Sequence, residues 1–277
     1  MTPTTIAELA PRYDAFLIDQ FGVLLDGQHA YPWAPAALSR LAMTGKPILL
    51  LSNSGKRSAP NAERLERLGF ERGSFRLVLS SGEAAHRLLA GRGLPVGMPV
   101  WLHARDGDAS AVEGMGFTIV AAPEDAALLV LAGSRADVLG LDDYRAILEP
   151  AAARGVPMIC TNPDIEMLTP LGKRPGAGRI ASLYGDLGGP VEWIGKPHPL
   201  IYAEAARLLP GLAPARVLCI GDSPAHDIVG GRAAGHATAL VRSGLHADVD
   251  DAALAAICEA AGTEPDHVIE RFDWPEP

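Results

Sequence analysis

Short apolar runs recur along the chain, and stretches with apolar residues at every third or fourth position lie between them. The runs fall at 16–18, 47–51, 76–79, 100–103, 117–120, 127–131, 157–160, 191–194, 217–220 and 237–241. Intervening stretches at 34–43, 59–68, 83–89, 143–153 and 200–208 carry the i, i+3, i+4 spacing. The runs predict strands and the spaced stretches predict amphipathic helices, so the alternation predicts a parallel, doubly wound, Rossmann-like α/β sheet. Ile48-Leu49-Leu50-Leu51 and Val217-Leu218-Cys219-Ile220 are apolar at consecutive positions, as expected of strands covered on both faces.

Ligands of such sheets collect beyond the carboxyl ends of the strands. Asp19 follows the first run, Ser52-Asn53-Ser54 the second, Gly195-Lys196 the run at 191–194, and Gly221-Asp222 the run at 217–220. The strands carrying these groups form an early block and a late block, and the middle has its own strand-helix alternation with Gly/Pro-rich stretches at 175–178 and 185–190. The expected organisation is a discontinuous core domain, 1–82 and 189–277, with a second α/β domain inserted at 83–188; the tail 264–277 reads as a surface extension.

Composition narrows the function. At 277 residues, with 48% apolar and 21% charged residues, the chain can bury a sizeable core and suits one large or two unequal domains. A net charge of −9 argues against a nucleic-acid partner, which needs clustered Lys and Arg against phosphate. No apolar run approaches the 18 or more residues of a membrane span, and the N-terminal stretch lacks a basic-then-apolar signal pattern, so the expected location is cytoplasmic. Cys160, Cys219 and Cys258 form no framework and no Cys-x-x-Cys pair, and none is assigned chemistry.

Four strand ends bearing an acid, a hydroxyl, an amine and another acid resemble, in chain order, the motifs of the haloacid dehalogenase (HAD) superfamily: Asp19-x-Phe21-Gly22-Val23, Ser52-Asn53, Ile194-Gly195-Lys196-Pro197 and Gly221-Asp222-Ser223-Pro224-Ala225-His226-Asp227. The long insertion, with Thr161-Asn162-Pro163-Asp164 and Pro175-Gly176-Ala177-Gly178, is similar to subfamily IIA and its C2-type cap. That resemblance implies a phosphohydrolase for a small phosphorylated metabolite. Asp19 would be the nucleophile, forming an aspartyl-phosphate, and Lys196 would compensate charge. Ser52, the amide of Asn53 and Lys196 would bind phosphate. The implied cofactor is Mg²⁺, held by Asp19, the backbone carbonyl of Phe21 and Asp222, with Asp227 orienting metal waters or Lys196. Asn162, Asp164, Lys173 and Arg174 are candidate substrate contacts in the cap, although Lys173-Arg174-Pro175 also reads as a solvated basic loop. A homodimer is a candidate state, because cap-to-cap dimers occur among relatives. His198 and His226 flank the motifs but lack metal-ligand spacing and read as packed or solvated.

Phe21 departs from the family pattern, which has a second Asp there for proton transfer to the leaving group and from water. Three readings are open. The first is a Mg²⁺-dependent phosphohydrolase that turns over slowly or takes its proton from another acid such as Asp26 or a cap residue. The second is a hydrolase of carbon–halogen or carbon–phosphorus bonds, since members with those activities carry an aromatic or small residue there. The third is a non-catalytic phospho-ligand-binding protein. The intact Asp222 and Asp227 favour a metal-dependent site and hence the first.

Overall fold

A computed structural model describes residues 4–169 and 172–275. The early part of the chain supplies β1 (Ala15–Asp19), β2 (Ile48–Ser52) and β3 (Leu77–Ser80). The middle supplies β4 (Pro99–His103), β5 (Thr118–Ile119), β6 (Leu128–Leu131), β7 (Met158–Cys160), β8 (Glu166–Thr169), β9 (Gly172–Pro175) and β10 (Val191–Trp193). The last part supplies β11 (Val217–Gly221), β12 (Ala237–Val241) and β13 (His267–Ile269).

Two compact units result. One holds the residues through Ser52, Ser58–Leu79 and the chain from Lys196 onward; the other holds Asn53–Arg57 and Ser80–Gly195. The units part at 79/80 and 195/196, where the sequence pattern places the breaks at 82/83 and 188/189, and the short stretch after β2 joins the second unit.

The first unit carries a six-stranded sheet in the order β3-β2-β1-β11-β12-β13. Its registered pairs are parallel, with Ile18 opposite Ile220 and Asp19 opposite Leu51. Strand order reverses between β1 and β11, the point at which a doubly wound sheet opens a crevice beyond its carboxyl ends. β1, β2 and β11 are buried at every position, which accounts for their unbroken apolar runs. Phe16, Ile18, Leu50, Leu218 and Ile220 share one core with Ala37, Leu38 and Leu41 of the helix Ala34–Ala42. No helix among the described residues is long and apolar enough to cross a membrane.

The second unit has a sheet in the order β10-β7-β6-β4-β5, parallel throughout, and a separate antiparallel hairpin of β8 and β9. Tyr144, Leu148, Tyr184 and Ile180 pack its helices Leu141–Ala153 and Ala177–Asp186 into one core.

Three expectations need correction. β10 pairs with β7, Val191 opposite Met158, and so belongs to the second unit and not the core. It is a three-residue, half-buried edge strand, too short to carry a pattern that names its partner. Lys173-Arg174-Pro175 is part of the strand β9, not a loop. The described part of the tail is not a surface extension: β13 pairs in parallel with β12, and Val268, Ile269 and Phe272 are buried. Phe272 is 0% exposed within the main core. Phe272→Ala is therefore expected to cost about 3–5 kcal/mol, the range for removing a buried aromatic side chain. Urea unfolding measures it, and a loss near zero would return the tail to the surface.

Candidate active site

The sheet order brings the strand ends together. β1 and β11 run side by side, so Asp19 and Asp222 emerge at the topological reversal, and buried Ser52 closes β2 next to β1. Lys196 does not end a core strand. It is the first residue of the core unit after the second unit, two residues beyond Ile194.

Lys196 Nζ lies 2.6 Å from Asp19 Oδ1 and donates to Asp227 Oδ1 at 2.7 Å. Asp227 sits in a widened, π-helical turn, Pro224–Ile228, capped by Ser223, whose Oγ accepts from the His226 N–H at 3.3 Å. The same turn lets Asp227 Oδ2 accept the Ser223 N–H at 3.1 Å. Both Asp227 oxygens are thus engaged, and the residue is placed to orient Lys196. Asp222 Oδ2 accepts the Leu245 N–H at 2.8 Å. Ligand-capable oxygens of Asp19, Asp222 and Asp227 all lie within 4.8 Å of one another.

All four charged side chains are buried. If ionised, three carboxylates and one ammonium leave two uncompensated negative charges in a site of low dielectric. Burial raises the Asp19 carboxyl to about 8; the Lys196 ammonium opposes this, while Asp227 and Asp222 add to it. Burial, reinforced by Asp227, raises Asp222 to about 6 against the pull of the Leu245 N–H. Burial by itself would push Lys196 down, but the Asp19 and Asp227 carboxylates outweigh it and hold the ammonium charged. An excess of two negative charges on oxygen donors, with no His or Cys among them, fits a hard divalent cation. Such a cation must displace the protons that Asp19 and Asp222 retain, so its affinity is expected to strengthen as pH rises from about 6 to about 8. Calorimetric titration with Mg²⁺ or Mn²⁺ at both limits measures this; an affinity that weakened or stood still would contradict it.

The pattern of charged residues does not disclose what walls the site. Gly22 has φ of +76°, and a Cβ there would lie 1.8 Å from Asp222 Oδ2. A Cβ on Gly244 would lie 2.0 Å from the same oxygen. Asp222 therefore holds its position only because both neighbours lack a side chain. The Gly244-Leu245 segment comes after β12, a strand the apolar pattern does predict, and reading the strand ends one strand further would have found it.

Phe21, two residues past Asp19, is 45% exposed. The Arg64 guanidinium stands 4.7 Å above its ring centre, and Arg64 Nη2 donates to the Gly27 carbonyl at 2.8 Å. Neither Arg64 nor this stacking is legible in the sequence. In the second unit, Asn53 Nδ2 donates to Asp164 Oδ1 at 2.8 Å, and the Asp164 N–H donates to Asn162 Oδ1 at 3.2 Å. Lys173 pairs with Glu166 across the hairpin at 2.8 Å, both exposed, and Arg174 Nη1 donates to the Lys173 carbonyl at 3.3 Å. His226 turns its ring to Ser223 Oγ at 3.3 Å, and burial holds His198 below its ordinary value.

A Rossmann-like core joined to a second α/β unit, with buried acids at the point where strand order reverses, defines a class of α/β enzymes. Comparison with known proteins is specific. Residues 16–118 match the model of haloacid dehalogenase-like hydrolases and residues 193–274 a HAD-hydrolase-like model. Human chronophin is 31% identical over 257 residues, spanning 87% of this chain and 84% of that one. A haloacid dehalogenase-like hydrolase from Brucella suis superposes with a TM-score of 0.81 at 28% identity, over 97% of this chain and 99% of that one. The magnesium complex of a glycerol phosphate phosphatase from Mycobacterium tuberculosis gives 0.76 at 28% identity, over 95% and 77%. The chain belongs to the haloacid dehalogenase-like hydrolases and is of the subfamily IIA type.

Proposed function

We propose that the protein is a Mg²⁺-dependent phosphohydrolase that cleaves a small phosphorylated metabolite through an aspartyl-phosphate on Asp19. The observation that carries this reading is Lys196 Nζ held between Asp19 and Asp227, 2.6 and 2.7 Å away, with Asp222 in the same cluster. The phosphatase names of relatives, the glycerol phosphate enzyme among them, support it.

Asp19 Oδ attacks phosphorus and the ester oxygen departs, which divides one difficult displacement into two. Lys196 offsets the charge of the nucleophile against the incoming phosphate, and Asp227 keeps that ammonium aimed. The Ser52 hydroxyl and the backbone amide of Asn53 would donate to phosphoryl oxygens. Asp19, Asp222 and the Phe21 carbonyl would hold Mg²⁺, which supplies positive charge against the phosphoryl group when bound. Phe21 offers neither acid nor base, so turnover would be slow where the leaving oxygen needs a proton. The substrate contacts in the second unit would come from Asn162 and Asp164 in a loop and from Lys173 and Arg174 on the hairpin.

Phosphate release from a panel of phosphomonoesters, with and without Mg²⁺, tests the proposal. No release from any of them by a folded, metal-loaded protein would sink it, and tight binding without cleavage would favour a ligand-binding role instead.

A further inference from the structure

Among the described residues of the core unit, the acids and donors nearest Phe21 along the chain or in contact with it are engaged elsewhere or are not acids. Phe21 lies two residues past the nucleophile and is 45% exposed. Arg64 covers the ring at 4.7 Å, fixed by the Gly27 carbonyl, and a guanidinium stays protonated throughout any such reaction. Asp26, the nearest acid along the loop, is turned back onto its own backbone: Oδ1 accepts the His29 N–H at 2.8 Å and the Gln28 N–H at 2.9 Å. Those bonds, His29 first, hold its carboxyl below the ordinary range, so it is ionised at neutral pH. Tyr31 Oη donates to the Ser243 carbonyl at 3.1 Å, and burial raises it further from use as an acid. His29 is turned to solvent, its side chain 78% exposed. Lys196 and Asp227 are bonded to each other, Asp222 accepts the Leu245 N–H, and the two acids belong to the candidate cation site described above.

We infer that the substrate's leaving group departs as a stable anion: an acyl phosphate, phosphoanhydride, or aryl or enol phosphate, and not an alkyl phosphate. This rests on the phosphohydrolase reading of the same site. In the first step a bond forms from Asp19 Oδ to phosphorus and the bond from phosphorus to the leaving oxygen breaks. The electron pair stays on that oxygen, which later takes a proton from solvent. Water then attacks phosphorus, the bond to Asp19 breaks, and water's surplus proton passes to solvent. Without an acid from the described residues of the core unit, the first step follows the basicity of the departing oxygen. A carboxylate, with a conjugate acid near pKa ~4, or a phenolate, near ~10, departs unaided, whereas an alkoxide, near the ~15.7 of water, does not. The guanidinium over Phe21 adds charge that favours a departing anion but cannot neutralise it.

The test is kcat/KM, with Mg²⁺ present, across substituted phenyl phosphates, acetyl phosphate and alkyl phosphates of similar size, because this ratio reports the steps through the first bond cleavage. A fall of about 10²-fold or more from aryl to alkyl esters is expected, the usual worth of a positioned acid. Phe21→Leu should keep that steepness. Phe21→Asp should flatten it by raising the alkyl esters. Arg64 would pair with the new carboxylate and keep it ionised, so the flattening should be larger when Arg64→Met is added. Similar kcat/KM for alkyl and aryl esters, with activity that still needs Asp19 and Mg²⁺, would overturn the inference and leave the phosphohydrolase standing. Absence of any Asp19-dependent cleavage, acetyl phosphate included, would remove both.

Discussion

Asp19→Asn should lower Mg²⁺-dependent phosphate release by at least about 10⁴-fold, the scale on which removal of a covalent nucleophile acts. The amide keeps the size of the carboxyl and can still accept from Lys196, 2.6 Å away in the parent. It cannot carry a phosphoryl group. Stability should move little or rise, because the substitution removes a charge that burial and the Asp227 and Asp222 carboxylates already disfavour. A protein that unfolds at the same or a higher temperature yet releases no phosphate separates chemistry from folding. Residual release above about 1% of the parent would place the nucleophile elsewhere.

Lys196→Met is the second large effect and acts on both stability and rate. The ammonium is 4% exposed and touches two carboxylates, so its removal leaves Asp19 and Asp227 facing each other without a cation. Breaking a buried pair from one side costs about 3–5 kcal/mol, and loss of one charge-stabilising group lowers turnover by roughly 10²–10³-fold. Added Mg²⁺ should return more stability to the variant than to the parent, since it meets a larger excess of negative charge. Urea unfolding with and without Mg²⁺ measures this. A destabilisation under about 1 kcal/mol is the result a solvated loop lysine would give, and it would remove Lys196 from the site.

The alternation of apolar runs and amphipathic stretches carries the doubly wound class, because burial on both faces writes itself into consecutive residues such as Ile48–Leu51. Groups at strand ends are legible for the same reason: locating a run also locates the polar residue that terminates it, as Ser52 terminates β2. Pairing partners are not local, and β10 shows the consequence. Its three residues carry no mark of which sheet they join, and Lys196 consequently does not end a core strand as the pattern predicts. β13 is equally short, and its place in the sheet depends on β12. The helix Asp251–Ala260 did leave a signal, Asp250 accepting from the Ala253 N–H as its cap, although no strongly periodic apolar pattern accompanies it. Arg64 was illegible because its significance is its height above a ring 43 positions away in sequence.

The glycine walls at positions 22 and 244 bear on how such a site can change over evolutionary time. Any side chain at either would collide with Asp222 in its present position, so substitution there would move that carboxylate. Phe21 is 45% exposed, with the Arg64 guanidinium over its ring. On the proposed mechanism, position 21 governs how a proton reaches the leaving group, and a side chain there meets fewer constraints than one at 22 or 244, so a single substitution could alter which leaving groups this scaffold accepts.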